Sequence, residues 1–502
     1  MYRTVAQLDS VMNILSSFFP ELCTRVELPN RSVLGHPIYA LHMHAGTATN
    51  RRGVLIVGGM HARELMNPDA IADLQLDLVT AYLNETGITI GGRSWSQQDI
   101  KIMLEALDIW FVPCANPDGR VYVQTVDDLW RQNRRDNPRT TCDGVDVNRN
   151  CDIVWGVTTS NTSCNPCFNT YVGEDPFSEP EARNIKDFCD AHRVDVFLDV
   201  HSFTGLVLYP WGHAHTQTTD PTQTFASLAT GTCAPINPPG HQEYMLTRDL
   251  LRFQRVSRTV ADDIQAVRGS NYTPQSIRAL YATTGTSTDY VYSRHIANPG
   301  LRKTYGFAFE TGPIVFFPGG TVVDERQSFH PTDPTLIKRD IKAGIISLLQ
   351  QSICAIEFIG TTLFGGARRS AAGARGLERI RTVRDEQLAT TDAGRKLIAI
   401  FERVQIPLLG IILADKTLTK EAMSLFETSI KLLDNDEAVV SAREVEQGLA
   451  FVENLAARTK SQSLRRDLAT VRKHLKSSSN KTVSKILKQL LNPTASNRTK
   501  RS

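Results

Sequence analysis

Hydrophobic and polar positions follow two different rhythms along the chain, and the rhythm changes near residue 360. In the first part, short β-branched runs stop at glycines or polar residues. Val54-Leu55-Ile56-Val57 ends at Gly58-Gly59 and predicts a buried strand. Pro68–Leu83 follows with apolar residues at helical spacing (Ile71, Leu74, Leu78, Val79, Tyr82). Ile109–Val112, Val194–Val200 and Tyr305–Phe309 predict further strands. A helix is predicted from Ser178-Glu179-Pro180-Glu181, where Ser178 and Glu181 have capping-box spacing, and Ile337–Leu349 reads as a closing amphipathic helix. Strands alternating with helices predict an α/β domain, with a mixed, largely parallel central sheet and helices on both faces. Ligands of such sheets bind beyond the carboxyl ends of the strands.

The second part has only the helical rhythm. Residues 375–491 contain no Cys, Trp or Tyr. Helical periodicity runs through Leu377–Ala389, Lys396–Val404, Lys420–Leu433, Ala442–Leu455, Ser463–Leu475 and Val483–Leu491, with breaks at Pro407, Asp434-Asn435 and Ser477-Ser478-Ser479. A small all-α C-terminal domain is the expectation. Gly365–Gly373 reads as linker. The predicted organisation is a first domain at 1–360, a linker at 361–375, a helical extension at 376–491 and a disordered tail at 492–502.

Composition supports this division. Hydrophobic residues make up 41% and charged residues 22%, which excludes a wholly disordered or collagen-like chain. The net charge of +3 conceals an asymmetry: 26 basic and 15 acidic residues fall in 361–502, leaving 30 and 38 in 1–360. All nine cysteines lie before residue 361. No apolar run reaches the roughly 20 residues of a membrane span, and Met1–Asp9 lacks the basic start and apolar core of an export signal. A basic extension attracts anions. Its Arg465, Arg466, Arg472, Lys473 and Lys476 are not interleaved with aromatics, so stacking on single-stranded nucleic acid is not expected. A solvated helical bundle is the expectation, its partner open.

Candidate chemistry gathers at the ends of the predicted strands. His61 and Glu64, three positions apart after the first strand, are placed to converge on one cation. His201 ends the strand Val194–Val200 and is the best third ligand. Two histidines and a glutamate with an open fourth position are the composition of a hydrolytic zinc site, whereas structural sites are closed and rich in cysteine. Glu310 ends the strand Tyr305–Phe309, where a buried carboxylate is costly unless paired or functional. Taken singly, the basic cluster Arg131, Arg134 and Arg135 reads as solvated surface, Asn148 and Arg149 as turn residues, and Tyr281 as core. The other histidines, His213 and His241 among them, carry no assigned role.

Eight segments in order change that reading: GGMHARE (58–64), NPDG (116–119), LWRQNR (129–134), GVDVNRN (144–150), PFSEPE (176–181), HSFTGLVLYPWG (201–212), LYATTGTSTDY (280–290) and FAFETGP (307–313). With them the chain resembles the zinc metallocarboxypeptidases of the pancreatic carboxypeptidase A/B type, over roughly Tyr2 to Ile356. The resemblance implies one zinc ion held by His61, Glu64 and His201. It implies Glu310 as general base and Arg131 as the group that polarises the scissile carbonyl. Asn148, Arg149 and Tyr281 would bind the substrate's free C-terminal carboxylate, and Arg63 would touch substrate further from the cut. Thr288 would lie at the base of the side-chain pocket. A small neutral residue there implies apolar, aromatic or broadly neutral C-terminal residues. Thr286 stands where the family has a glycine and would narrow that pocket. Asn84–Ser96 looks inserted, and Tyr290–Tyr305 looks like a lengthened loop.

The substrate class implied is peptide and protein C-termini. An inactive peptide-binding protein on the same fold is the alternative, and the presence of His61, Glu64, His201 and Glu310 speaks against it. An amidase using the same centre would not need the carboxylate anchor. No inhibitory prodomain is expected before a resemblance that begins at Tyr2. The resemblance also implies a Cys142–Cys167 disulfide, and proximity suggests a nested Cys151–Cys164 bridge. Disulfides and six N-x-[ST] sequons point to an extracellular or secretory-pathway protein.

Overall fold

The computed structural model describes residues 2–48, 51–138, 140–237, 240–318, 320–354, 379–380, 382–383, 387–388 and 391–491. The proposed linker and the polar tail lie outside them, as do seven of the thirteen residues of the predicted helix Leu377–Ala389. The chain divides into two compact units. One comprises Met1–Ala45 and Arg52–Ser352, and the other holds the described residues from 353 on.

Among the described residues, fourteen strands belong to the first unit. They are β1 (Cys23–Glu27), β2 (Tyr39–Met43), β3 (Arg52–Gly58), β4 (Ile88–Ile90), β5 (Arg93–Trp95), β6 (Leu107–Val112), β7 (Val157–Thr158), β8 (Val196–His201), β9 (Leu206–Tyr209), β10 (Thr216–Thr218), β11 (Ala234–Pro235), β12 (Gln242–Tyr244), β13 (Thr273–Ser276) and β14 (Tyr305–Glu310). Eight of them form one sheet in the order β1-β2-β6-β3-β8-β14-β9-β13. Its centre, β6-β3-β8-β14, is parallel; β1, β2 and β9 join antiparallel neighbours. The fold class is therefore the mixed, largely parallel sheet that the pattern predicts. β8 is buried along its whole length and β3 along all but its first residue, as strands covered on both faces are. Met66–Leu83 packs on Thr335–Ser352, which packs on Thr247–Arg268; Pro180–Ala191 packs separately on Ser287–Ala297.

Three local expectations need correction, and a fourth, the insertion read at Asn84–Ser96, gains a structure. The predicted capping box at Ser178 does not form. Pro180 opens that helix, Ser178 donates to Glu179 Oε1 at 2.9 Å, and Glu181 instead accepts from the Val33 amide and Asn133. Tyr290–Tyr305 is not a loop throughout, because Ser287–Ala297 is helical. Asn84–Ser96 carries the short β4–β5 hairpin. Cys142 does pair with Cys167, but Cys164 pairs with Cys233, and Cys151 is a buried free thiol. The nested bridge was read from proximity in sequence, and the chain brings in a partner 69 residues away instead.

The second unit is helical, as expected. Its described helices are Asp392–Leu413, Lys416–Leu433, Ala442–Arg458, Gln462–Lys476 and Val483–Leu491. Pro407 does not break the first of these. The apolar stripe continues on both sides of it, and Val404, Ile412, Leu418, Val452, Leu455, Leu464 and Leu468 share one core. Burial of that stripe offsets the lost helical hydrogen bond. Ser441 and Glu444 form a capping box, and Arg403 pairs with Asp467 at 2.6 Å. No described helix is long and apolar enough to cross a membrane.

Candidate active site

Three adjacent parallel strands, β3, β8 and β14, end on one side of the sheet. His61 lies just past the end of β3, and Glu64 follows one turn later. His201 is the last residue of β8. Glu310 is the last residue of β14 and stands beside His201 in register. Strand pairing thus converts four distant sequence positions into one cluster.

The His61, Glu64 and His201 donor atoms all lie within 4.8 Å of one another. His61 Nδ1 is 2.8 Å from Glu64 Oε1, and His201 Nδ1 is 3.1 Å from His61 Nδ1 and 3.2 Å from Glu64 Oε2. All three residues are buried. Two imidazole nitrogens and a carboxylate converging in this way fit a tetrahedral cation such as zinc, with one position left for water or substrate. Burial alone would raise the pKa of Glu64, but His61 and His201 outweigh it and hold the carboxylate ionised.

Each imidazole has its far nitrogen on a buried carboxylate. His61 Nε2 is 3.2 Å from Asp146 Oδ1, and His201 Nε2 is 2.8 Å from Asp199 Oδ2. Such partners fix tautomer and ring orientation for metal binding. Asp146 is also a hub: its Oδ2 accepts from Arg131 Nε at 2.9 Å, and its Oδ1 from the Asn148 amide at 3.0 Å. Burial opposes its charge, but Arg131, Arg149 and His61 hold its pKa well below the carboxylate range. Neither aspartate was assigned a role from sequence. Asp146 stood inside the GVDVNRN segment, and Asp199 two residues before His201, hence on the same face of the strand.

A cavity of about 290 Å³ opens over the cluster. Arg63, Glu64, Arg131, Arg149, Tyr281 and Glu310 line it. Arg149 is held by two carbonyls, with Nε 2.7 Å from Asn161 O and Nη1 2.7 Å from Asn148 O. The same guanidinium stands 4.0 Å from Asp146 Oδ2. Arg63 stacks over Phe329, with its guanidinium carbon 4.1 Å from the ring centre. Asn148 and Thr288 are not among the lining residues. The Asn148 amide lies between His201 Nε2, 3.1 Å away, and the Ser287 backbone N–H, which donates to Oδ1 at 2.8 Å. Thr288 is buried in the helix Ser287–Ala297. Thr286 caps that helix, its hydroxyl accepting from the Asp289 amide. Asn161, Asn169, Thr170, Phe203, Leu280 and Phe329 also line the cavity and were not singled out from sequence. Asn161 reaches the cavity from the loop closed by Cys142–Cys167, and Asn169 and Thr170 from the one closed by Cys164–Cys233.

Proton linkage follows from the ligand set. Burial disfavours a charged His201, but Asp199 and Glu64 outweigh it and raise its pKa well above the ordinary value. The bare chain therefore holds a proton there at neutral pH, and a cation must displace it. Metal affinity is expected to fall as pH falls, with protons released on binding. Calorimetric titrations with zinc in buffers of different ionisation enthalpy check this; an affinity independent of pH would contradict it.

A sequence profile described as zinc carboxypeptidase matches residues 8–321. Carboxypeptidase A4 of Mus musculus is 28% identical over 321 residues, which cover 62% of this chain and 66% of the relative. The inactive metallocarboxypeptidase ECM14 of Arthroderma otae is 29% identical over 303 residues, covering 58% of this chain and 47% of that one. The chain thus spans less than two thirds of these relatives' length. Among solved structures, bovine thrombin-activatable fibrinolysis inhibitor in complex with tick carboxypeptidase inhibitor aligns with a TM-score of 0.51 at 19% identity, covering 70% of this chain and 97% of that one. Carboxypeptidase A from Helicoverpa armigera aligns at 0.50 and 23%, covering 69% and 74%. These structures share its fold.

Proposed function

The chain belongs to the zinc carboxypeptidase family, and from that premise we propose that it hydrolyses the C-terminal peptide bond of peptides and proteins. The observation that carries the reading is one cavity in which Glu64 of the metal cluster, Glu310, Arg131 and Arg149 all face the same space. Bound by His61, Glu64 and His201, zinc supplies a water of lowered pKa and a Lewis acid for the scissile carbonyl. Glu310 accepts the proton of the attacking water and delivers it to the leaving amine. Arg131, aligned by Asp146, meets the negative charge that develops on the carbonyl oxygen. Arg149 presents a planar donor fork to the terminal carboxylate, with Tyr281 beside it. Asn148 Oδ1 accepts the Ser287 N–H, which helps to set the turn that carries Arg149, while its NH2 group, facing a His201 Nε2 whose proton goes to Asp199, stays available to the carboxylate. Arg63, stacked on Phe329, is left for substrate further from the cut.

Side-chain preference follows from what lines the cavity. Arg63, Glu64, Arg131, Arg149 and Glu310 are its charged residues, and each is already committed. The rest of the lining is neutral, as is Thr288 behind it, so apolar, aromatic or broadly neutral C-terminal residues fit best. The relative named as inactive keeps a peptide-binding alternative in view; the intact set His61, Glu64, His201 and Glu310 favours catalysis. The two disulfides support an oxidising compartment, extracellular or secretory, for the working protein.

The test is hydrolysis of blocked dipeptides ending in free Phe, Lys or Glu, beside the Phe amide, with and without a zinc chelator. Chelator-sensitive release of Phe, far faster from the free acid than from the amide, is the expected result. Equal turnover of the amide would remove the carboxylate anchor. No turnover by zinc-loaded protein would leave the binding reading, and preference for Lys or Glu would refute the neutral pocket.

A further inference from the structure

A second convergence of metal-ligating side chains lies outside the cavity. His213 follows β9, His241 immediately precedes β12, and Glu243 lies on β12, paired with Gln217 of β10. His213 Nε2 is 2.8 Å and His241 Nε2 is 2.9 Å from the same oxygen, Glu243 Oε2. The three donor atoms lie within 4.8 Å of one another, as at the first cluster. All three residues are buried: His213 is 4%, His241 9% and Glu243 0% exposed.

The surroundings prepare these atoms for a cation. Glu243 Oε1 accepts the backbone N–H groups of Phe225 and Tyr244, at 3.2 and 3.1 Å, which turns Oε2 toward the histidines. On the far side of His213, Nδ1 stands 3.5 Å from Asp289 Oδ2. That carboxylate also accepts the Gly212 N–H at 2.8 Å, while its Oδ1 is buried without a hydrogen-bond partner. His213 Nδ1 is likewise buried without a hydrogen-bond partner; a proton there would face Asp289 and leave the Nε2 lone pair for a metal, as carboxylates do when they orient metal-binding histidines. Charge points the same way. Glu243 and Asp289 bring two buried negative charges beside two imidazoles, and a dication balances them without either imidazole being charged. Zinc ligands at about 2.0–2.2 Å in tetrahedral array stand about 3.3–3.6 Å apart, so the ion replaces two direct hydrogen bonds and opens their 2.8 and 2.9 Å separations by about half an ångström. Imidazole nitrogen selects zinc or a related transition ion over calcium or magnesium, which take oxygen ligands.

We propose that His213, His241 and Glu243 form a second zinc site beside Asp289, with the same two-His-one-Glu donor set as the first cluster but outside its cavity, and that the ion staples the 214–245 segment to the domain. That segment has little core of its own: Ala214, Leu228 and Met245 are its buried apolar residues among those described. The Cys164–Cys233 disulfide fastens it at one point and the metal fastens it at another. The chain accordingly takes up two zinc ions, one per cluster.

Metal counting on the full-length, zinc-equilibrated and gel-filtered protein, by native mass spectrometry and elemental analysis, tests this. The expected result is two zinc ions per chain, one in His241→Ala or Glu243→Gln, and one in the double variant His61→Ala/His201→Ala. X-ray absorption of that double variant should show zinc with two imidazole ligands, which holds even if His241→Ala fails to fold. One ion per chain, retained in Glu243→Gln and lost in His61→Ala/His201→Ala, overturns the second site and leaves the first. One ion with the opposite pattern upholds the second site and overturns the first. No bound zinc overturns both.

Discussion

Replacing Glu310 with glutamine is expected to lower kcat/KM by about 10³-fold, the middle of the range for a general base, while the zinc content stays unchanged. The metal count matters because Glu310 lines the cavity but is not one of the converging ligands. A parallel loss of zinc would make it a ligand instead. The pH profile gives an independent readout. The base must be a carboxylate, so activity rises as pH rises through its pKa. Burial raises that pKa to about 8 in the bare chain, with Glu64 and Asp199 adding to the rise and His201 and Arg131 opposing it. A dication nearby stabilises the carboxylate and moves the acid limb to lower pH. Glu310→Gln should abolish that limb. A limb that persists in the variant would belong to another group, with His201 the first suspect.

The second large effect is expected at Arg149. Removing one partner of a buried, hydrogen-bonded charge pair costs about 2–5 kcal/mol. Arg149→Met should therefore lower kcat/KM for the free-acid dipeptide by roughly 10²-fold, a cost of about 2.7 kcal/mol. The slow background turnover of the C-terminal amide should not change. That difference separates a lost carboxylate anchor from a loosened loop, because the guanidinium also holds the Asn148 and Asn161 carbonyls. An equal fall for acid and amide would assign Arg149 a purely structural role. Methionine is preferable to alanine because it keeps most of the side-chain length in a position that is only 2% exposed.

Much of this protein was legible without coordinates. The β-branched runs ending at Gly58 and His201 marked the central strands because strands buried on both faces must be almost wholly apolar. The polar residues that end such strands then stood out as costly, and His61, Glu64, His201 and Glu310 could be named. The helical extension was legible for the same reason, since its apolar stripes keep the period of a helix, although the break read at Pro407 is not one.

Other features depend on residues that no local period connects. Asp146 serves His61 and Arg131 at once because a loop fastened by disulfides returns to the end of β3. Asp199 became an orienting group only when the His201 ring turned back over its own strand. Cys164 found Cys233 rather than the nearer Cys151. His213 and His241, which had no role in the linear pattern, meet Glu243 because β10 and β12 pair side by side. The linear order determined which segments would be buried and which carried chemistry, because burial and backbone period act over a few residues. Only the tertiary structure decided which distant groups share a proton, a sulfur bond or a metal, because those interactions require atoms within about 2–3 Å, and chain closure alone brings them there.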